Sequence, residues 1–277
     1  MRKVIIPTDF SDNAYNAVRY AVSLFKEVDC TFYLVHTYTP AIYQSDYMLD
    51  SPGQFGLATL LQEQALERLK ELRTKLENEF KNPRHQFVPH AAFNLLVDEL
   101  RDMVEKENAD LIIMGTKGAT GAKEILLGTH AVHVIKKTNC PIIVVPPQFE
   151  YENPKEILFP TDYEIDYGEE RFAQLLAIAD DHISRFEVIH VSSGYDLTDK
   201  QLRNKAKLDE LLGRRAHLFH EMPSQNVVAA INNFQLKNRI NLLAMVRNKH
   251  TFFERLFLEP IIKKVGFHVT VPFMVIP

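Results

Sequence analysis

The sequence predicts an α/β protein made of two tandem doubly wound domains, each a five-stranded parallel sheet with helices on both faces. Three observations predict it. Short apolar, β-branched runs alternate with longer segments whose apolar residues recur at three-four spacing, the pattern of βαβ units. The same landmarks appear in the same order in both halves, which marks an internal repeat. A chain of 277 residues also has the length for two ordinary cores.

In the first half the strand-like runs are Lys3–Pro7, Thr31–His36, His85–Pro89, Asp110–Gly115 and Ile142–Val145. Residues 13–27 (NAYNAVRYAVSLFKE) and 94–107 (NLLVDELRDMVEKE) carry the helical spacing. Right-handed crossovers then allow a flavodoxin-like strand order, 2-1-3-4-5, or the related 3-2-1-4-5. Tyr38–Ala58 is polar and tyrosine-rich, with turn residues, and Leu60–Phe80 follows with a Glu and Lys face. The pair reads as an extended loop leading into a surface helix, a lid or partner surface being the alternative. Pro146–Glu156, rich in Pro, Asn and charge, reads as a linker, dividing the chain into domains 1–147 and 154–277.

The repeat is specific. Pro7-Thr8-Asp9 recurs as Pro160-Thr161-Asp162, His36 falls on His190, ADLIIMG falls on INLLAMV, and TNCPIIVVP falls on VTVPFMVIP. The offset is 153 residues at Asp9 and 131 at Met114, so the first half holds about two dozen extra residues after Thr37. The last strands, PIIVVP and PFMVIP, are expected to meet about a pseudo-twofold axis. The second half would thereby form an intramolecular pseudo-dimer with the first, with a homodimer of whole chains as a further level.

Composition narrows the partners. A net charge of −4 provides no basic field for nucleic acid. No run reaches the eighteen apolar residues of a membrane helix, and the start MRKVIIPTDF is broken by Pro7, Thr8 and Asp9, so the chain reads as soluble, without an export signal. Cys30 and Cys140 stand apart among apolar residues and read as buried hydrophobes of a reducing, cytoplasmic protein.

Four of the chain's ten glycines fall between Met114 and His130. Gly115 ends the fourth strand and Asp9 follows the first, on the rim where ligands of open α/β sheets bind. Gly115-Thr116-Lys117-Gly118 is a loop able to take positive φ and present N–H groups to an anion. Gly128-Thr129 opens the helical pattern THAVHVIKK, whose N-terminus offers unpaired N–H groups and a hydroxyl. Together they read as a phosphate cradle, with Lys117 and Lys123 at its mouth, or as structural turns. The first turn, PTDFSDN, has neither the P-loop nor the dinucleotide-fold glycines.

The spacing G-x2-G-x9-G-[ST], met by Gly115, Gly118, Gly128 and Thr129, resembles the ATP-binding motif of the universal stress protein family. With PTDFS after strand one and VH closing strand two, the resemblance covers the first half and, more weakly, the second. It implies a tandem-type member binding ATP with Mg2+ through Pro7, Thr8, Asp9, Thr37, Met114, Gly115, Lys117, Gly118, Gly128, Thr129 and His130. Asp9 would serve the ribose and metal end, and backbone near Thr8 and Thr37 would receive adenine, although Thr37 stands where an apolar residue is commoner. In the second half Val246, Lys249, Glu259 and Pro260 stand for Gly115, Gly118, Gly128 and Thr129, so ATP binding is not expected there despite Asp162.

Other polar groups receive blander readings. His130 with His133, and His217, His220 and Glu221, have helical spacing but match no zinc motif, so they read as solvated helix faces rather than metal ligands. His36 and His190 read as backbone hydrogen-bonding residues, and Ser11 or Asp12 as the cap of the first helix, leaving Asp9 for function. The expected role is a stress-response or signalling protein, with an unidentified protein partner and at most slow ATP hydrolysis. A weak ATPase or phosphoryl-transfer enzyme and a nucleotide-free, chaperone-like scaffold are the alternatives.

Overall fold

The computed structural model of the chain describes residues 1–38, 53–116, 127–192, 194, 196–222, 226–247 and 270–277; the side chains of 53–58 are not among them. The first half runs β1 (Arg2–Pro7), α1 (Asp12–Leu24), β2 (Cys30–Thr37), α2 (Gly53–Phe80), β3 (His85–Ala92), α3 (Leu96–Glu107), β4 (Leu111–Gly115), α4 (Thr129–Lys137) and β5 (Ile142–Val145). The second runs β6 (Glu156–Pro160), α5 (Glu169–His182), β7 (Arg185–Val191), α6 (Asp199–Leu212), β8 (His217–Met222), α7 (Val227–Lys237), β9 (Leu242–Val246) and β10 (Phe273–Ile276).

The ten strands among the described residues form one sheet in the order β3-β2-β1-β4-β5-β10-β9-β6-β7-β8. Each half therefore has the 3-2-1-4-5 order, and the 2-1-3-4-5 alternative is set aside. Pairing is parallel within each half, while β5 and β10 pair antiparallel, with Met274 opposite Ile143. That single antiparallel ladder joins the two halves edge to edge, along the strands expected to meet.

The central strands β4, β5, β9 and β10 are apolar throughout because both of their faces are covered. Val4, Ile5 and Ile6 are all fully buried. Val4 and Ile6 point to the face carrying α1 and α2, and Ile5 to the face carrying α3 and α4. α1 buries Ala14, Ala17, Val18, Ala21 and Leu24, an apolar stripe at helical spacing, and starts where the Ser11 hydroxyl accepts from the Ala14 N–H at 3.2 Å. Ser11 is thus the cap, as the sequence allows. α2 begins at Gly53, inside the stretch read as loop, and buries Ala65, Leu69 and Leu76 along one side. It has 28 residues against 14 in α6, so lengthened helix accounts for much of the first half's extra sequence. Both cores run through both halves, with Phe159 and Phe172 on one face and Leu158 and Phe234 on the other.

Candidate nucleotide site

β1 lies between β2 and β4, where the chain's crossovers turn to opposite sides; this is the switch point at which such sheets open a crevice. At its carboxyl end the turn Thr8-Asp9-Phe10 is held by its own side chains. The Thr8 hydroxyl accepts from the Phe10 N–H at 3.0 Å, and Asp9 Oδ1 accepts from the Ser11 N–H at 3.0 Å. Phe10 is left-handed, with φ 64°, and packs on the His36 ring at 4.7 Å. The His36 Nδ1 hydrogen-bonds the Thr8 carbonyl at 2.8 Å, and the Thr8 N–H donates to Val35, so both main-chain groups of Thr8 are engaged within the protein.

The second half repeats this turn. Tyr163 is left-handed at φ 56° and stacks on His190 at 4.9 Å, His190 Nδ1 reaches the Thr161 carbonyl at 3.1 Å, and Asp162 accepts from the Glu164 N–H. Both histidines are therefore backbone partners. The halves part company beyond the turn. α1 is capped by Ser11, directly after Phe10, whereas α5 is capped by Gly168, four residues later by the repeat. The inserted stretch is folded inward: Ile165 and Tyr167 are buried, and the Tyr167 hydroxyl meets the Thr161 hydroxyl at 2.5 Å. Burial also raises the carboxyl pKa of Asp162 above the usual range.

The first half's glycine elements meet at Thr116. Its N–H donates to Val145 at 3.0 Å, and its carbonyl accepts the Gly128 N–H at 2.6 Å, bringing the end of β4 against the start of α4. Gly128 is the N-cap of α4 in extended conformation without a side-chain cap, and the first turn holds no acidic residue. Thr129 and His130 are exposed there. The Thr116 hydroxyl is buried and has no hydrogen-bond partner among the described residues. An uncapped helix start beside an unpaired buried hydroxyl fits an anion.

Gly115 is a glycine for a different reason from the one its motif implies. Its φ is not in the left-handed region; a Cβ built on it would lie 2.3 Å from Asn13 Nδ2 and 3.1 Å from the Asn13 carbonyl oxygen. α1 passes too close over β4 for any side chain. At the corresponding position of the second half, Val246 is buried in the core. Pro7 and Met114 are buried, Thr37 is half-buried and Asp9 is exposed on the rim. Lys117, Gly118, Lys123, Lys249, Glu259 and Pro260 lie outside the described residues. Sequence reading placed Thr116 in the glycine loop but missed its buried hydroxyl, and it missed Asn13, which nothing local signals.

A universal stress protein family model matches residues 1–146. The chain belongs to the universal stress protein family. Universal stress protein MJ0531 of Methanocaldococcus jannaschii is 34% identical over 145 residues, 52% of this chain and 81% of the relative. Universal stress protein MJ0577 of the same organism is 32% identical over 153 residues, 52% of this chain and 94% of that one. A universal stress protein structure from Archaeoglobus fulgidus superposes with TM-score 0.71 at 18% identity, covering 99% of this chain and 97% of that one, so its likeness in fold extends over both halves.

The group on β8 does not assemble as a metal cluster. His217, His220 and Glu221 stand on strand β8 rather than a helix, so His217 and His220 point to opposite faces. His217 pairs with Asp209 at 2.7 Å, His220 with the buried Glu187 at 2.5 Å, and Glu221 with Lys205 at 2.9 Å. His130 and His133 are exposed on α4. Among the described residues no group of three or more His, Cys, Asp or Glu is placed to hold a metal, and no helix is long and apolar enough to cross a membrane. Cys30 and Cys140 are free and buried, and burial pushes each thiol up to about 12, so neither is poised as a nucleophile at neutral pH.

Proposed function

We propose that the first half binds ATP with Mg2+ and that the chain is a cytoplasmic stress-response protein whose surface for a protein partner changes with nucleotide occupancy. The observation that carries this reading is the 2.6 Å hydrogen bond from Gly128 to Thr116, which sets the uncapped start of α4 against the end of β4 beside the Asp9 turn. Phosphate oxygens would be received by the first-turn amides of α4 and the Thr129 hydroxyl, with His130 alongside. Asp9 would hold the metal, which neutralises phosphate charge when bound. The base and ribose would lie along Pro7, Thr8, Thr37, Met114 and Gly115. Because the Thr8 N–H is engaged by Val35, donation to the base falls to Thr37, while the Thr8 carbonyl keeps a second lone pair for a base amino group. Lys117 and Gly118 complete the motif by family resemblance. The second half, with its inserted Tyr167, serves as a built-in partner subunit across β5 and β10.

The test is to identify nucleotide released from the purified chain by mass spectrometry and to titrate the stripped chain with ATP and Mg2+, measuring turnover alongside. One ATP per chain is expected. Thr129→Asp places a carboxylate where phosphate would sit and should weaken binding by about tenfold or more. The same change favours the helix N-terminus, so melting temperature should hold or rise. No binding at millimolar ATP, or wild-type affinity in Thr129→Asp, would sink this reading.

A further inference from the structure

Arg247 occupies, in the second half, the position that Thr116 holds in the first, directly after the fourth strand. Its side chain crosses to the first half. One guanidinium nitrogen donates to the carbonyls of Ile135 and, at 2.9 Å, Thr138, and the other reaches Asn139 Oδ1 at 3.2 Å. Ile135 lies in the last turn of α4, Thr138 is its C-cap, and Asn139 follows the cap. Helix carbonyls at that end have no partner within the helix, and a cation there also meets the negative end of the helix dipole. Arg247 is itself braced: its N–H donates to Ile276 at 2.7 Å, and Arg171 donates to its carbonyl at 3.2 Å and to the main-chain oxygen of Pro277 at 2.7 Å. Arg247 forms no ion pair with a carboxylate side chain among the described residues.

α4 is therefore pinned at both ends by equivalent positions of the repeat. Thr116 holds its start through Gly128, and Arg247 holds its finish. The helix has nine residues, so the two pins are about 13 Å apart at 1.5 Å rise per residue. A rod this short moves as a unit, and releasing its far end shifts the first-turn amides that a phosphate would use.

We propose that Arg247, from the half that has lost the binding motif, is a positioning residue for the anion-binding end of α4, and that the second half thereby sets the first half's affinity for nucleotide. The proposal rests on the ATP reading for its ligand, but not for its geometry.

Arg247→Met, Arg247→Lys and, as a control, His182→Ala are to be compared in the full chain by ATP titration well below the melting transition and by hydrogen exchange without nucleotide. His182 makes a separate contact between the halves, to the Leu24 carbonyl at 2.8 Å, away from α4. Arg247→Met should weaken ATP binding by about fivefold or more and speed exchange of the hydrogen-bonded amides at the start of α4, Gly128 and Val132. Arg247→Lys should fall between it and wild type, since an ammonium keeps the charge but not the fork. His182→Ala should lower melting temperature and leave both readouts unchanged. Wild-type ATP affinity in Arg247→Met, or faster exchange confined to the last turn, overturns the proposal. A wild-type chain that binds no ATP sinks the nucleotide reading, and the exchange comparison then decides the positioning role by itself.

Discussion

At Gly115 the constraint is a neighbour rather than a dihedral angle. Asn13 and the first turn of α1 occupy the space a side chain would need, with the amide nitrogen 2.3 Å and the backbone oxygen 3.1 Å from a built Cβ. The amide can rotate away, but the backbone oxygen cannot without moving α1. Gly115→Ala should therefore destabilise the chain by about 1–3 kcal/mol, the range for overpacking. Adding Asn13→Ala should recover only part of the loss. Chemical denaturation of the single and double variants checks this; full recovery in the double variant would show that only the amide is in the way. The motif made Gly115 legible as a required glycine, but its reason is a residue 102 positions earlier.

Among the elements, periodicity and local chemistry do different work. The buried stripe of α1 and the apolar central strands could be read directly, and Ser11 fell among the expected caps. β8 was harder: HLFHEM admits histidines at helical spacing, yet its pairing with β7 makes it a strand, and the histidines separate to opposite faces. α6 shows the strongest local start signal, a capping box in which the Thr198 hydroxyl accepts from the Gln201 N–H and the Gln201 side chain accepts from the Thr198 N–H. Thr198→Ala should cost about 1 kcal/mol. For a chain of this size that is a fall in melting temperature of about 2–4 °C, measurable by calorimetry. An unchanged melting temperature would mean that packing alone sets the start of α6.

Across the whole molecule the halves are joined by the β5–β10 ladder and by polar contacts far from it. Arg2 pairs with Asp181 at 2.7 Å, Gln174 donates to Asp110 at 3.1 Å, and His182 meets the Leu24 carbonyl. Burial lowers the pKa of His182, and also of His85, which contacts the Phe25 carbonyl at 2.9 Å. A histidine whose folded pKa lies below its unfolded value leaves the unfolded chain holding more protons. Its contribution to stability is then intact above about pH 6.5 and is lost as pH falls through that value toward the folded pKa. Melting temperature should accordingly drop by a few degrees, on the order of 1 kcal/mol, between about pH 7 and pH 5.5, above most carboxylate titrations. His182→Gln, which keeps an N–H for Leu24, should flatten that slope; an unaltered slope in both His182→Gln and His85→Gln would assign it elsewhere.

The order of strands and helices in the first half, the internal repeat, the loss of the glycine motif in the second half and family membership were all legible in the sequence. Each depends on residue type at fixed local spacing, or on a pattern repeated along the chain. Only the tertiary structure chose 3-2-1-4-5, placed Asn13 over Gly115, folded Tyr167 onto Thr161, and carried Arg247 across to Ile135 and Thr138. Most of these join residues a hundred or more positions apart, where no periodicity links the partners. They are decided by which surfaces remain to be buried, and which carbonyls remain to be satisfied, once the sheet has closed between β5 and β10.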